Sequence, residues 1–84
     1  MYKITFSKNA DKALRRMPRN LALKISKKIK EIADNPQGMR NVKKLTNHPG
    51  YRLRVGDWRI IYTVNNNELL VHVINVKTRG EVYK

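Results

Sequence analysis

Apolar and polar residues alternate over the first six positions. Tyr2, Ile4 and Phe6 fall on one side and Lys3 and Thr5 on the other, the period-two pattern of a half-buried strand. Ser7 stands next, where a helix wants an N-cap whose hydroxyl accepts from a free backbone N–H of the first turn. Ala10, Ala13, Leu14 and Met17 follow at helical spacing. Pro18 interrupts them and suits the first turn of a second helix, where its missing N–H costs nothing. On that helix Leu21, Ile25, Ile29 and Ile32 form one apolar stripe, and Lys24, Lys27, Lys28 and Lys30 lie off it, facing water. Asn35-Pro36-Gln37-Gly38 ends it. Residues 39–49 read as a loop with one turn of structure around Val42 and Leu45. Three strands follow, Tyr51–Val55, Trp58–Val64 and Leu69–Val76, separated by Gly56-Asp57 and by Asn65-Asn66-Asn67-Glu68, whose Gly and Asn residues favour hairpin turns. The order β-α-α-β-β-β predicts an α+β fold over residues 1–84, with the N-terminal strand and the helical hairpin packed on one face of a mainly antiparallel sheet.

The first hairpin has a register that can be worked out residue by residue. A two-residue turn at Gly56-Asp57 pairs Val55 with Trp58, Arg54 with Arg59, Leu53 with Ile60, Arg52 with Ile61 and Tyr51 with Tyr62. Successive side chains point to opposite faces. Tyr51, Leu53, Val55, Trp58, Ile60, Tyr62 and Val64 therefore make an apolar face for the helices, and Arg52, Arg54, Arg59 and Ile61 make the other. Setting Val64 opposite Leu69 continues the apolar face with Val71 and Val73, and places Leu70, His72 and Ile74 with the arginines. Like charges directly opposite each other destabilise a sheet, by up to ~1 kcal/mol. Arg54 and Arg59 are such a pair, with Arg52 beside them and no acid on that face. Local rules are broken where function requires it, so this face is predicted to be an anion-binding cleft.

Charge strengthens that reading. The 84 residues carry 19 Lys plus Arg against 6 Asp plus Glu, a net charge of +13. The excess runs through both ordered-looking halves: nine basic against three acidic residues over 8–34, and six against one over 40–59. A basic surface built onto a fold favours a polyanionic partner. The length allows one domain. With no cysteine, disulfides, cysteine-ligated zinc and thiol catalysis are excluded, and the composition fits a reducing compartment. Apolar runs are too short for a transmembrane or secretory segment, so a soluble cytoplasmic protein with no membrane partner is expected.

The remaining residues narrow the chemistry. Asp11, Glu31, Asp34, Asp57, Glu68 and Glu81 form no carboxylate cluster on the basic face, which argues against two-metal phosphodiester cleavage. Ser7 and Ser26 sit in helical contexts away from it, which argues against a Ser-His-Asp hydrolase. No glycine-rich loop precedes a helix, and His48 and His72 alone have no zinc spacing, so neither cofactor nor metal is expected. Cations can still stabilise the negative charge that grows on a phosphate in its transition state. Without a metal, the easiest nucleophile is one the substrate carries, and RNA has a 2′-OH beside each phosphate where DNA has none. Downstream, Tyr83 can stack on a base and Arg79 can reach a phosphate.

The run Tyr51-Arg52-Leu53-Arg54-Val55-Gly56-Asp57-Trp58-Arg59-Ile60-Ile61-Tyr62 and the ending Val76-Lys77-Thr78-Arg79-Gly80-Glu81-Val82-Tyr83 resemble the RelE/ParE superfamily of type II toxin–antitoxin toxins. The helical hairpin ending in Asn35-Pro36 and the following Lys44-Leu45 match as well, so the resemblance spans essentially the whole chain as a single RelE-like toxin domain. It implies a metal-independent mRNA interferase of the RelE branch, a ribosome-dependent endoribonuclease that cuts in the A site. There the 2′-OH attacks the adjacent phosphate to give a 2′,3′-cyclic phosphate and a free 5′-OH. On this resemblance Arg52 and Arg54 bind the backbone and polarise the attacking hydroxyl, and Arg59 holds the scissile phosphate. Arg79 sits by the leaving oxygen and Tyr83 orients a base, while Lys43, Lys44, Lys77 and Lys84 add RNA contacts. Some relatives carry lysine at the positions of Arg52 and Arg54. An arginine keeps its proton, so either the chemistry is mainly electrostatic or His72 assists from the same face. The implied partners are the ribosome, mRNA and an acidic antitoxin in a hetero-oligomeric complex. The alternatives within the superfamily are a ParE-like toxin that inhibits DNA gyrase without catalysis, and a degenerate homologue that binds only its antitoxin.

Overall fold

In the computed structural model, which describes residues 2–36, 42–46 and 48–78, the chain runs β1 (Lys3–Phe6), α1 (Lys8–Arg16), α2 (Arg19–Asp34), β2 (Val42–Lys44), β3 (Tyr51–Val55), β4 (Trp58–Asn65) and β5 (Leu70–Thr78). Ser7 caps α1 as its sequence position requires. Its hydroxyl accepts from the Ala10 N–H at 3.0 Å and donates to the Ile74 carbonyl, so one side chain both starts the helix and ties it to the last strand. Met17 closes α1 through its N–H to the Ala13 carbonyl, and Pro18 is the N-cap of α2.

The strands form one five-stranded sheet in the order β1-β5-β4-β3-β2. β1 runs parallel to β5 and every other pairing is antiparallel. Both helices lie on one face. Ala10 of α1 and Ile25, Ile29 and Ile32 of α2 meet Leu53, Val55, Ile60, Tyr62, Val71, Val73 and Val76 of the sheet in one core. Phe6, expected on the buried side, is 41% exposed, because β1 is an edge strand that ends there.

Two expectations need correction. Residues 42–44, read as loop, form the edge strand β2 against β3. Two of its three residues are lysines, which charge an edge and mask the strand pattern. The second hairpin is also shifted: Val64 faces Val71 and not Leu69, across a turn over residues 66–69. In that turn the Asn65 side-chain oxygen accepts from the N–H groups of Asn67 and Glu68 at 3.0 Å each, and Leu69 takes a left-handed φ of 52°. The Gly56-Asp57 turn is as expected. Gly56 has φ 59° while Asp57 does not share the positive sign, the arrangement of a type II′ hairpin with glycine at its first central position.

Tyr62 is 1% exposed, and its ring lies 5.7 Å from that of Tyr51, its cross-strand partner. Its hydroxyl has no hydrogen-bond partner. Burial, and then the neighbouring Tyr51, push its pKa up from 10.0 to about 12. A raised pKa means that the unfolded chain ionises first. The contribution to stability is whole below pH 10.0 and is lost as pH rises through about 12. Tyr62→Phe is expected to remove this alkaline loss and to leave stability near neutral pH unchanged or up to ~1 kcal/mol higher, since no bond is lost and an unpaired polar group disappears. Urea unfolding of both proteins at neutral and strongly alkaline pH measures it. An alkaline loss of the same size in the phenylalanine variant would contradict it.

Candidate functional site

The register across β3, β4 and β5 brings the cations together. Arg54 faces Arg59 across the first hairpin, as the turn length requires, and Arg59 faces Lys77 on its other side. Strands stand ~4.8 Å apart, so Arg54, Arg59 and Lys77 form a row within ~10 Å. Beside it lies a second row in which Lys43 faces Arg52, Arg52 faces Ile61, and Ile61 faces Asn75.

Lys77 and Asn75 reach this face because of a β-bulge. The pairing slips between Ile61 and Tyr62, leaving Ile74 unpaired and reversing the alternation beyond it. Ile74 was expected among the arginines; Asn75 and Lys77 take that side, and Val76 enters the core at 4% exposure. The sequence carries a faint sign of this. The apolar spacing runs by two from Val71 to Val73 and then by three to Val76.

Arg59 is the centre of the site. It is 4% exposed and is the buried charged residue among those described. Its Nε has no hydrogen-bond partner, and its Nη1 donates to the Trp58 carbonyl at a long 3.4 Å. Arg54 is exposed, with its Nε donating to the Gly56 carbonyl, also at 3.4 Å. Among the described residues the ion pairs are Arg15 with Asp11 at 3.1 Å and Lys28 with Glu31 at 3.3 Å, both on helix surfaces. The described acids Asp11, Glu31 and Asp34 lie in helices, and Asp57 and Glu68 lie in turns. The row therefore has no carboxylate in it. A buried charge without a counterion keeps most of its desolvation penalty, and an anion placed against it recovers that energy. The arrangement has the charge to attract an anion, with Arg54 exposed beside the buried Arg59.

Other expected site residues fall elsewhere. Lys44 faces Tyr51 and so belongs to the opposite side from Lys43. His72 shares the cation face, but it faces Thr63, four residues along β4 from Arg59, roughly 13 Å away. Its Nδ1 lies 2.7 Å from the Thr5 hydroxyl. That is too far to exchange a proton with a group on a phosphate held by Arg59. Arg79, Tyr83 and Lys84 lie outside the described residues. Among the described residues, no group of three or more His, Cys, Asp or Glu side chains is placed to hold a metal ion, and no helix is long and apolar enough to cross a membrane.

Comparison with known proteins bears on the fold that carries these residues. The family model for the ParE toxin of the type II toxin–antitoxin system matches residues 4–83. Among solved structures, the chain is 27% identical to a protein of the archaeal RelE–RelB complex of Pyrococcus horikoshii, with a TM-score of 0.82 over 94% of this chain and 96% of that one. It is 26% identical to one in the intact RelBE toxin–antitoxin complex of Escherichia coli, with a TM-score of 0.80 over 93% and 96%. The isolated E. coli RelE toxin is 25% identical, with a TM-score of 0.80 over 99% of this chain and 92% of that one. A search of curated proteins finds no match.

Proposed function

This chain belongs to the ParE toxin family of type II toxin–antitoxin systems, and from that premise we propose that it works as a RelE-like endoribonuclease, cutting mRNA in the ribosomal A site and arresting translation. One observation carries the proposal: Arg59 is buried and unpaired in the middle of a row of like charges. An acidic protein segment would be attracted to such a row as well, but a phosphate whose charge grows in a transition state gains from every cation in it.

In the reaction the 2′-oxygen attacks the adjacent phosphorus, the bond from phosphorus to the 5′-oxygen breaks, and the products are a 2′,3′-cyclic phosphate and a 5′-hydroxyl. The 2′-proton passes to solvent and the leaving oxygen takes up a proton. Arg59 and Lys77 hold the phosphate as its charge grows, and Arg52 and Arg54 hold the backbone and favour ionisation of the attacking hydroxyl. Arg79 serves the leaving oxygen, Tyr83 stacks on a base, and Lys43 and Lys84 extend the RNA contact. With His72 roughly 13 Å away, the chemistry is electrostatic and preorganised rather than dependent on a side-chain base. An acidic antitoxin fits the same face by charge, as suits a relative of toxins whose structures are known in complex with antitoxins.

Primer extension on mRNA in a translating extract tests the proposal. New 5′ ends at A-site codons are expected, dependent on ribosomes. Intact message with undisturbed protein synthesis would reject the reading. The matching family model favours one second reading, a ParE-like toxin acting on DNA gyrase. Loss of supercoiling by purified gyrase, with mRNA left uncut, would establish it instead.

A further inference from the structure

We propose that the pocket between α1 and the ends of β4 and β5 is a second nucleotide site, taking one unstacked base and its phosphate from the RNA held on the cation face. The inference rests on the reading of that face as RNA-binding. The pocket has a volume of ≈ 600 Å³, within the ~300–1,000 Å³ of small-ligand sites. Lys12 and Arg16 from α1 and Lys77 from β5 surround it, and among the described residues that line it none is acidic. The nearest acid in sequence, Asp11, is engaged with Arg15 at 3.1 Å, which leaves Lys12 and Arg16 to an external anion.

Trp58 supplies a flat apolar wall. It packs against the core, is half-buried, and lines the pocket with its remaining surface. An indole beside cations is the combination that holds a base and its phosphate together. Asn9 and Asn75 also line the pocket, and their amides both donate and accept. A base edge needs both; the carboxylates of an acidic peptide need donors alone. Lys77 belongs at once to this pocket and to the row with Arg59, so it marks the end of the sheet around which a strand on the cation face would pass to reach the pocket on the helix side.

Trp58 is the single tryptophan, so its fluorescence reports on this pocket. The probe is a short RNA with 2′-O-methyl riboses, which binds without being cut, and its binding is followed in parallel by anisotropy of an end label. Saturable quenching of Trp58 is expected, with half-saturation about tenfold weaker in Lys12→Ala/Arg16→Ala, or in Arg16→Gln if the double variant does not fold. RNA binding by anisotropy with no Trp58 response overturns the pocket and leaves the cation face standing. No binding by either signal defeats the RNA reading itself. Quenching by an oligoglutamate peptide but not by RNA, lost in the same variants, overturns the nucleotide in favour of an acidic protein segment.

Discussion

Arg59→Met is expected to slow mRNA cleavage about 10³-fold while making the folded protein more stable. The two effects share one cause. In the free protein Arg59 is 4% exposed, its Nε is unpartnered, and its cross-strand neighbours are Arg54 and Lys77. Among the described residues the fold bears that charge without a counterion. Replacing buried charged groups by apolar residues of similar volume is neutral or stabilising by ~1–4 kcal/mol. Methionine fills the space of the arginine stem and is flexible enough to settle there. The rate falls because a preorganised donor aimed at growing phosphate charge is worth ~10²–10³ in rate, and Arg59 also anchors the row around it. Single-turnover cleavage on programmed ribosomes and urea unfolding of the two proteins measure the pair of effects. Cleavage within a few-fold of wild type would remove Arg59 from the chemistry. A variant less stable than wild type would show that its guanidinium is satisfied after all.

RNA affinity is expected to fall about 100-fold between ~50 and ~200 mM salt, with a log–log slope of about −3.5 or steeper. The cation face presents Lys43, Arg52, Arg54, Arg59 and Lys77 along paired strands. Each phosphate neutralised on a single strand releases counterions worth about 0.7 in the slope. Arg52→Ala should flatten the slope by about 0.7, and should do so alike for RNAs of different sequence, because phosphate contacts position a strand without reading it. Anisotropy titrations of uncleavable RNA over a salt series give these slopes. A slope flatter than about −1 would show that the face does not engage the backbone.

Much of the fold was legible because the signals are local. The stripe of Ile25, Ile29 and Ile32 marks α2 by its spacing alone, and all three are at most 1% exposed. Ser7 marks the start of α1 through a bond that spans three residues. The edge strand at Val42–Lys44 was not legible, because its two lysines face solvent and its single half-buried valine gives no period. The shifted second hairpin was missed for a related reason. Asn65 can open either a tight turn or the longer one that it stabilises by accepting from Asn67 and Glu68, and the composition is the same for both.

The candidate site divides along the same line. From sequence alone come the opposition of Arg54 and Arg59 and the placing of Arg52 on their side, since a two-residue turn and a two-residue period leave no other arrangement with the apolar face inward. Tertiary structure alone decides that Lys77 and not Ile74 completes the row, that Arg59 is buried rather than solvated, and that Lys12 and Arg16 meet Trp58 around one pocket. The first depends on a bulge in β5 and the last on the seating of a helix against strands some forty or more residues away, and such long-range packing leaves no periodic mark on the chain.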